Sequence, residues 1–324
     1  MSKKYKAPGR ADRKGLSLVE VMDMFPTEEA ATKWFEQVIW NGHRACGKCG
    51  STRTREAKHA KMPYWCSDCR SYFSIRTGTP MARSKIPLRK WALAIYLCIT
   101  SLKSISSMKL HRDIKVSQPA AWFMLHRIRE AWAQEPKNSN WSGPVEVDET
   151  YMGGKRRNMP ARKRNELTGR GTVGKSAIVG AKDRASNQVS ARHIEHADAA
   201  TLQGFAITHA DEQAQVYTDD ARAYSSLPMR HETVKHSVGE YVRGQAHTNG
   251  IESFWSMLKR AHKGTFHKMS PKHLNRYVQE FAAKHNMRDS DTLAQMRHTV
   301  ARLVGRNLFY TDLIADNGLS SGAR

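Results

Sequence analysis

Val145-Glu146-Val147-Asp148-Glu149-Thr150-Tyr151 opens by alternating apolar and polar residues, the period-two pattern of a strand with one buried face. Asp148 is expected to end that strand. Upstream, residues 136–143 contain Asn138, Ser139 and Asn140 and read as a linker, so a new unit begins at Val145. Downstream, residues 177–181 and 188–194 read as two more strands around a turn at 183–187. Residues 198–209 read as a helix, and Val216-Tyr217-Thr218 as a short strand ending in Asp219-Asp220. Residues 248–263 and 271–285 are expected to be long helices. Strands first, then mixed strands and helices, predict an α+β or α/β catalytic unit over about 143–290.

Before the linker the periodicity is helical. Thr27 is placed to cap a helix carrying Ala30, Trp34 and Val38, which Asn41-Gly42 stops. Residues 87–134 read as all-helical. Trp91, Leu93, Ala94 and Leu97 mark one helix, and Ile105, Met108 and Leu110 a second. Ser117 and Pro119 open a third, with Ala121, Leu125, Ile128 and Trp132 on its apolar stripe. That stripe leaves Arg127 and Arg129 on other faces. The short turn Lys115-Val116-Ser117 gives the last two helices the outline of a helix-turn-helix, or of an ordinary helical hairpin.

Between these helical stretches stand Cys46-Gly47-Lys48-Cys49 and Cys66-Ser67-Asp68-Cys69, two Cys-x-x-Cys knuckles sixteen residues apart. This spacing is that of a zinc ribbon, in which four thiolates close a tetrahedron around a structural Zn²⁺. The ion would stiffen a segment too short to build its own core. Cys98 sits in an apolar helix and is expected to be a core residue.

Lys and Arg number 53 against 30 Asp and Glu, a formal net charge of +23 over 324 residues. Such an excess calls for a polyanion, and nucleic acid is the commonest one, because neutralised phosphates release counterions. Six basic residues in 1–15 form a basic arm, and 155–170 form a basic, Gly-flanked loop. No run of about 18 apolar residues exists to span a membrane, and no apolar signal core follows Met1. A cytoplasmic, nucleoid-associated protein is expected. The divisions are a basic arm (1–22), a helix plus zinc ribbon (23–80), a helical DNA-binding segment (81–136), the catalytic unit (143–290), and a C-terminal helix and tail (291–324), to which no role is assigned.

Pattern alone does not select a catalytic set from thirty acids. Asp148 and Asp219 end strands and Glu252 lies near a helix start. Oxygen donors so placed suit hard divalent ions, and a pair of such ions can stabilise both oxygens of a phosphoryl transfer. Glu146, Glu149 and Asp220 are neighbouring competitors.

At these residues the chain resembles a known family, the zinc-ribbon DDE transposases of bacterial insertion sequences, in the insertion-sequence family numbered fifteen ninety-five. The resemblance rests on three blocks. They are Val147-Asp148-Glu149-Thr150-Tyr151 with Gly153-Gly154, Tyr217-Thr218-Asp219 with Tyr224, and His247-Thr248-Asn249 running through Glu252, Phe254, Trp255 and Leu258-Lys259-Arg260. It extends back through the ribbon to Phe25-Pro26-Thr27 and covers about 20–290. It implies an RNase H-like fold, with Asp148, Asp219 and Glu252 catalytic and holding Mg²⁺ (or Mn²⁺). Asn249, three residues before Glu252 on the same helix face, is the rival third ligand or its support. The resemblance further implies that Lys259 contacts terminal DNA phosphates. Lys155, Arg156, Arg157, Arg162, Lys163, Arg164, Arg127 and Arg260 are the other candidate DNA contacts. The expected activity is cleavage of inverted-repeat ends and their transfer to target duplex DNA, by a homodimer or larger assembly. The rivals are a DNA-binding regulator derived from a transposase and an RNase H-like nuclease that cuts without joining.

Overall fold

The computed structural model describes residues 14–133, 139–154, 156–169, 171–234 and 247–317. Most of the basic arm, part of the linker, Lys155, Arg170 and the end of the tail lie outside them. The described residues form two compact units, one drawn from Met1–Ala133 with Met287–Asp316, the other from Gln134–Asn286 with Asn317–Arg324.

The first unit is helical around a small sheet. α1 (Leu18–Met24) starts in a capping box, with Ser17 and Glu20 each accepting the other's backbone N–H. Thr27 caps α2 (Glu28–Trp40) by accepting from the Ala30 N–H at 3.2 Å, and Asn41 ends it in the left-handed region at φ 45°. The buried stripe of α2 is Ala31, Trp34 and Phe35, rotated from the expected Ala30, Trp34 and Val38. β1 (Thr54–Glu56), β2 (Tyr64–Cys66) and β3 (Ser71–Phe73) make an antiparallel ribbon whose inner face packs Tyr64 and Phe73 against Trp40. α3 (Leu88–Thr100) is apolar on most of its surface and buries Trp91, Ile95 and Cys98.

α4 (Ser107–Ile114) and α5 (Gln118–Arg129) follow, joined by the turn read from the sequence. Lys115 closes α4 at φ 49°, and the Ser117 hydroxyl accepts from the Ala120 N–H at 3.3 Å to open α5. The apolar stripe of α5 is buried as expected, but Arg127 and Arg129 are buried too, at 8% and 2% exposure. Arg127 lays its guanidinium 3.9 Å from the Phe123 ring centroid and donates from Nε to the Leu308 carbonyl at 3.3 Å. The cause is the C-terminal tail, which returns to this unit and covers that side of α5. There α10 (Thr292–Ala301) packs against α2 and α3, burying Met296 and Val300, and α11 (Tyr310–Ile314) follows. The start of the described chain is tied to it: Lys14 accepts from the Thr292 N–H, and its own N–H donates to Asp291.

The second unit is a five-stranded mixed sheet in the order β6-β5-β4-β7-β8. β4 (Val145–Met152), β5 (Ser176–Asp183) and β6 (Val189–Ile194) are antiparallel neighbours, while β7 (Gln215–Asp219) and β8 (Arg230–Val234) run parallel to β4. β4 continues to Met152, so Asp148 lies inside the strand rather than at its end; β5 pairs with it along its whole length. What does end near Asp148 is the pairing with β7, registered at Val145 and Glu146. β8 has no signal in the sequence, because Arg230-His231-Glu232-Thr233-Val234 carries too little apolar character to announce a strand.

The two sheet faces have separate cores. Odd-numbered Val145, Val147, Val179 and Ala181 pack with α7 (Ala199–His209). Met152 and Ile178 pack with α8 (Asn249–Ala261) and α9 (Pro271–Asn286). The stretch 156–169 contains a short α6 (Ala161–Glu166). No helix of the described residues is long and apolar enough to cross a membrane.

Candidate active site and zinc ribbon

Side chains of a strand alternate between faces, and this settles which acids can meet. Glu146 and Asp148 share parity with Met152 and face α8. Glu149 has the opposite parity, and its half-buried carboxylate accepts from the hydroxyl of Tyr224, a residue of the α7-side core, at 3.0 Å, while its charge still reaches Asp148 and Asp219. Tyr217 lies under the Arg184 guanidinium, 4.5 Å from its ring centroid, and Arg184 donates to Glu146, so β7 turns Tyr217 and then Asp219 toward the α8 face. Asp148, Asp219 and the helix bearing Glu252 therefore share one side of the sheet.

Asp148 is held from two directions. Its Oδ2 accepts from the Trp255 indole N–H at 2.9 Å. The cross-strand partner of Asp148 is Gly180, and a Cβ there would stand 2.6–2.7 Å from the Trp255 ring. A side chain at 180 would thus push away the indole that bonds Asp148. Burial first, then the Glu149 and Asp219 charges, pushes the Asp148 carboxyl up to about 7. An aspartate so raised gains most from a nearby cation, which fits these oxygen donors to a hard divalent ion. Glu252 lies three residues before Trp255 on α8, and its Oε1 accepts from the Thr248 hydroxyl at 2.9 Å. Asn249 is exposed at the first turn of α8, and Lys259 and Arg260 are exposed at its last.

The buried competitor Glu146 has another task. One oxygen accepts from Arg184 Nε at 2.7 Å, and the other accepts from the Ile251 N–H at 2.8 Å, in the first turn of α8. A carboxylate at a helix start satisfies an orphan N–H and the positive end of the dipole. Arg184 also donates to the His247 carbonyl at 2.6 Å, just before that helix. Glu146 and Arg184 so fasten the start of the Glu252 helix to the strand of Asp148. Gly250 allows this approach, since a Cβ there would lie 2.7 Å from Glu146 Oε2. Sequence reasoning missed Gly180, Arg184 and Trp255 as site-builders; a glycine within an expected strand was the available signal.

The cysteines gather as expected. The Sγ atoms of Cys46, Cys49, Cys66 and Cys69 all lie within 4.8 Å of one another. The Cys46–Cys69 and Cys49–Cys66 separations are 3.7 and 3.6 Å. Metal–sulfur bonds of ~2.3 Å in a tetrahedron give edges of about 3.8 Å, so the four thiolates fit zinc. Among the described residues this is the one group of three or more His, Cys, Asp or Glu gathered closely enough to hold an ion as it stands. Gly47 and Gly78 press backbone to backbone beneath the first knuckle, where a Cβ on either would overlap a carbonyl of the other segment.

Of the candidate DNA contacts, Arg127 is inside the helical unit, as described. The Arg156 guanidinium donates to the carbonyls of Arg164, Leu167 and Gly169, so it holds its own loop together. Arg157, Arg162 and Arg164 are exposed, Arg162 pairing with Glu166 at 3.4 Å. Lys155 lies outside the described residues, as does the side chain of Lys163.

A zinc-ribbon helical unit and a mixed-sheet unit with acids on one face are the parts of a transposase, and comparison with known proteins agrees. A family model described as an ISXO2-like transposase domain matches residues 140–286, and one described as a transposase zinc-ribbon domain matches 26–72. An uncharacterised protein of the transposable element ISH50 of Halobacterium salinarum is 32% identical over 308 residues, 89% of this chain and 97% of that one. The chain belongs to the IS1595 family of insertion-sequence transposases. A chain in a cryo-EM structure of a simian T-cell lymphotropic virus intasome with PP2A regulatory subunit B56 gamma is 17% identical over 59% of this chain. This chain spans 64% of it at a TM-score of 0.27, too low to bear on the fold.

Proposed function

We infer that this transposase binds the inverted-repeat ends of its element and performs divalent-metal-dependent cleavage and strand transfer at Asp148, Asp219 and Glu252. The observation that carries the reading is the common sheet face. Strand parity sends the Glu149 carboxylate to Tyr224, although its charge still reaches Asp148 and Asp219, and Glu146 is engaged with Arg184 and α8, which favours Asp148, Asp219 and Glu252 as the metal-holding set. The strand order β6-β5-β4-β7-β8, with the first aspartate on the central strand, supports an RNase H-like fold.

Mg²⁺ or Mn²⁺, when bound, supplies charge stabilisation to the attacking and leaving oxygens of an in-line displacement. Asp148 and Asp219 are the expected ligands, with Glu252 as third and Asn249 supporting from the same helix. The Trp255 indole orients Asp148 by its hydrogen bond. Lys259 and Arg260, exposed on the last turn of α8, are placed to meet DNA phosphates, and Arg157 and Arg164 extend a basic surface on the loop. The start of α5 with Arg112 of α4 is the proposed groove-reading surface, since α5 is buried from Met124 to Arg129. Pairing two ends calls for a homodimer or larger assembly. The structural zinc leaves no open coordination position and takes no part in the chemistry.

The test is incubation with a labelled element-end duplex, a target plasmid and Mg²⁺. Joined product from the unmutated protein, absent with Asp219→Ala while duplex binding persists, is the expected result. Duplex binding with neither cutting nor joining, in Mn²⁺ as well, would instead identify a DNA-binding regulator.

A further inference from the structure

The outer face of the zinc ribbon carries a row of side chains that neither the metal nor the core uses. In the ribbon register Arg55 opposes Trp65, and Trp65 opposes Tyr72, so the three lie side by side across the sheet. Their parity is opposite to that of Tyr64, Cys66 and Phe73, which fill the core. Trp65 and Tyr72 meet edge to face at 4.7 Å, and the His59 ring lies 5.1 Å from Tyr72. Tyr72 is 43% exposed. The cross-strand pair of half-buried Trp65 and exposed Tyr72 stabilises the ribbon, yet it leaves the Tyr72 ring in solvent on a face that nothing in the ribbon covers.

The charges around the row select its partner. Arg55, Lys58, Lys61 and Arg70 are exposed, and no acid of the described residues forms an ion pair with them. The two acids at the sheet, Asp68 and Glu56, are taken up by Arg53 at 2.8 Å and Arg44 at 3.7 Å. An apolar protein partner would have to bury four cations with the rings. A nucleic-acid strand offers phosphates to the cations and flat bases to the rings. In an intact duplex those base faces are covered by stacking, so rings on a shallow sheet reach them only where the stack is open.

We propose that Arg55, Trp65, Tyr72 and His59 form a stacking platform for unpaired nucleobases of DNA whose duplex is opened at an end or a nick. This rests on the DNA-binding reading above and adds to it a preference for an opened end. The sheet supplies a flat support, and Arg55 adds a cation at one end of the row.

The test uses the full chain, with no added Mg²⁺ and no chelator so that zinc is retained. Two duplexes of one sequence carry 2-aminopurine, one fully paired and the other with the probe in a short unpaired 3′ tail. The expected result is about tenfold tighter binding of the tailed duplex, with a change in 2-aminopurine emission that reports stacking. Tyr72→Ala and Trp65→Ala each remove the preference and the emission change, leave paired-duplex affinity unaltered, and keep one zinc per chain; Tyr72→Phe keeps both signals. Should an alanine variant lose its zinc, Arg55→Ala, on the exposed edge of the row, is the substitute and is expected to reduce the preference. Equal affinity of the unmutated protein for the two duplexes would overturn the platform while leaving duplex binding intact. So would an equal loss on both duplexes in the variants, which would indicate groove docking. Binding to neither duplex would overturn the DNA-binding reading along with it.

Discussion

Asp148 concentrates the chemistry of the second unit in one titration. Its carboxyl is held near 7, against ~3.9 for an unperturbed aspartate. The folded protein therefore binds this proton more tightly than the unfolded chain does. The group favours folding below about pH 4, and that contribution is lost as pH rises through about 7. Thermal unfolding without added divalent ions is expected to show falling stability across that window, and Asp148→Asn to flatten the fall. Added Mg²⁺ should raise Tm more near pH 8 than near pH 6, where proton and metal compete. Equal Mg²⁺ shifts at both pH values would mean that the ion does not bind at Asp148. At this scale the acids are legible in the sequence but their separate roles are not. Glu146, Asp148 and Glu149 are equivalent in composition; a hydroxyl from Tyr224 and a guanidinium from Arg184, both distant in the chain, separate them.

At the scale of elements, the helix start and the strand are locked by small residues. Gly180→Ala places a methyl within 2.6–2.7 Å of the Trp255 ring, so the indole must move and release Asp148. The expected cost is about 1–3 kcal/mol in urea unfolding, with loss of joining larger than loss of duplex binding. Unchanged activity would mean that the Trp255 bond does not position Asp148. Elements with local signals were legible. The caps at Thr27 and Ser117, the stops at Asn41 and Lys115, and the strands of residues 176–194 all stand where caps, turns and alternation placed them. β8 was not, because the parallel neighbour β7, rather than an apolar pattern, makes 230–234 a strand. The burial of Arg127 was equally hidden, since α5 is covered by Leu308, 181 positions away.

Across the whole molecule, the chain leaves its first unit at about residue 134 and comes back to it at 287. The tail after 290, which showed only a helical pattern, supplies a wall of that unit: α10 covers α2 and α3, and Arg302 donates to the Ala131 carbonyl at 3.0 Å. Truncation after Asn286 is expected to leave the second unit folded while exposing apolar side chains of α2 and α3 in the first. Limited proteolysis would then cut within the helices of 14–133 and spare the strands β4 to β8 and the helices α7 to α9. Uniform resistance would contradict this reading. The central claim is that three acids on one sheet face carry DNA joining. Its most direct test is strand transfer in Mg²⁺ by Asp148→Asn, Asp219→Asn, Glu252→Gln and Glu149→Gln side by side, each checked for zinc and duplex binding. The first three are expected to lose joined product by about a hundredfold or more, as removal of a transition-state contact does, and Glu149→Gln to retain it within a few fold. Loss with Glu149→Gln and activity with Glu252→Gln would contradict the account and move the site to the other face of the strand.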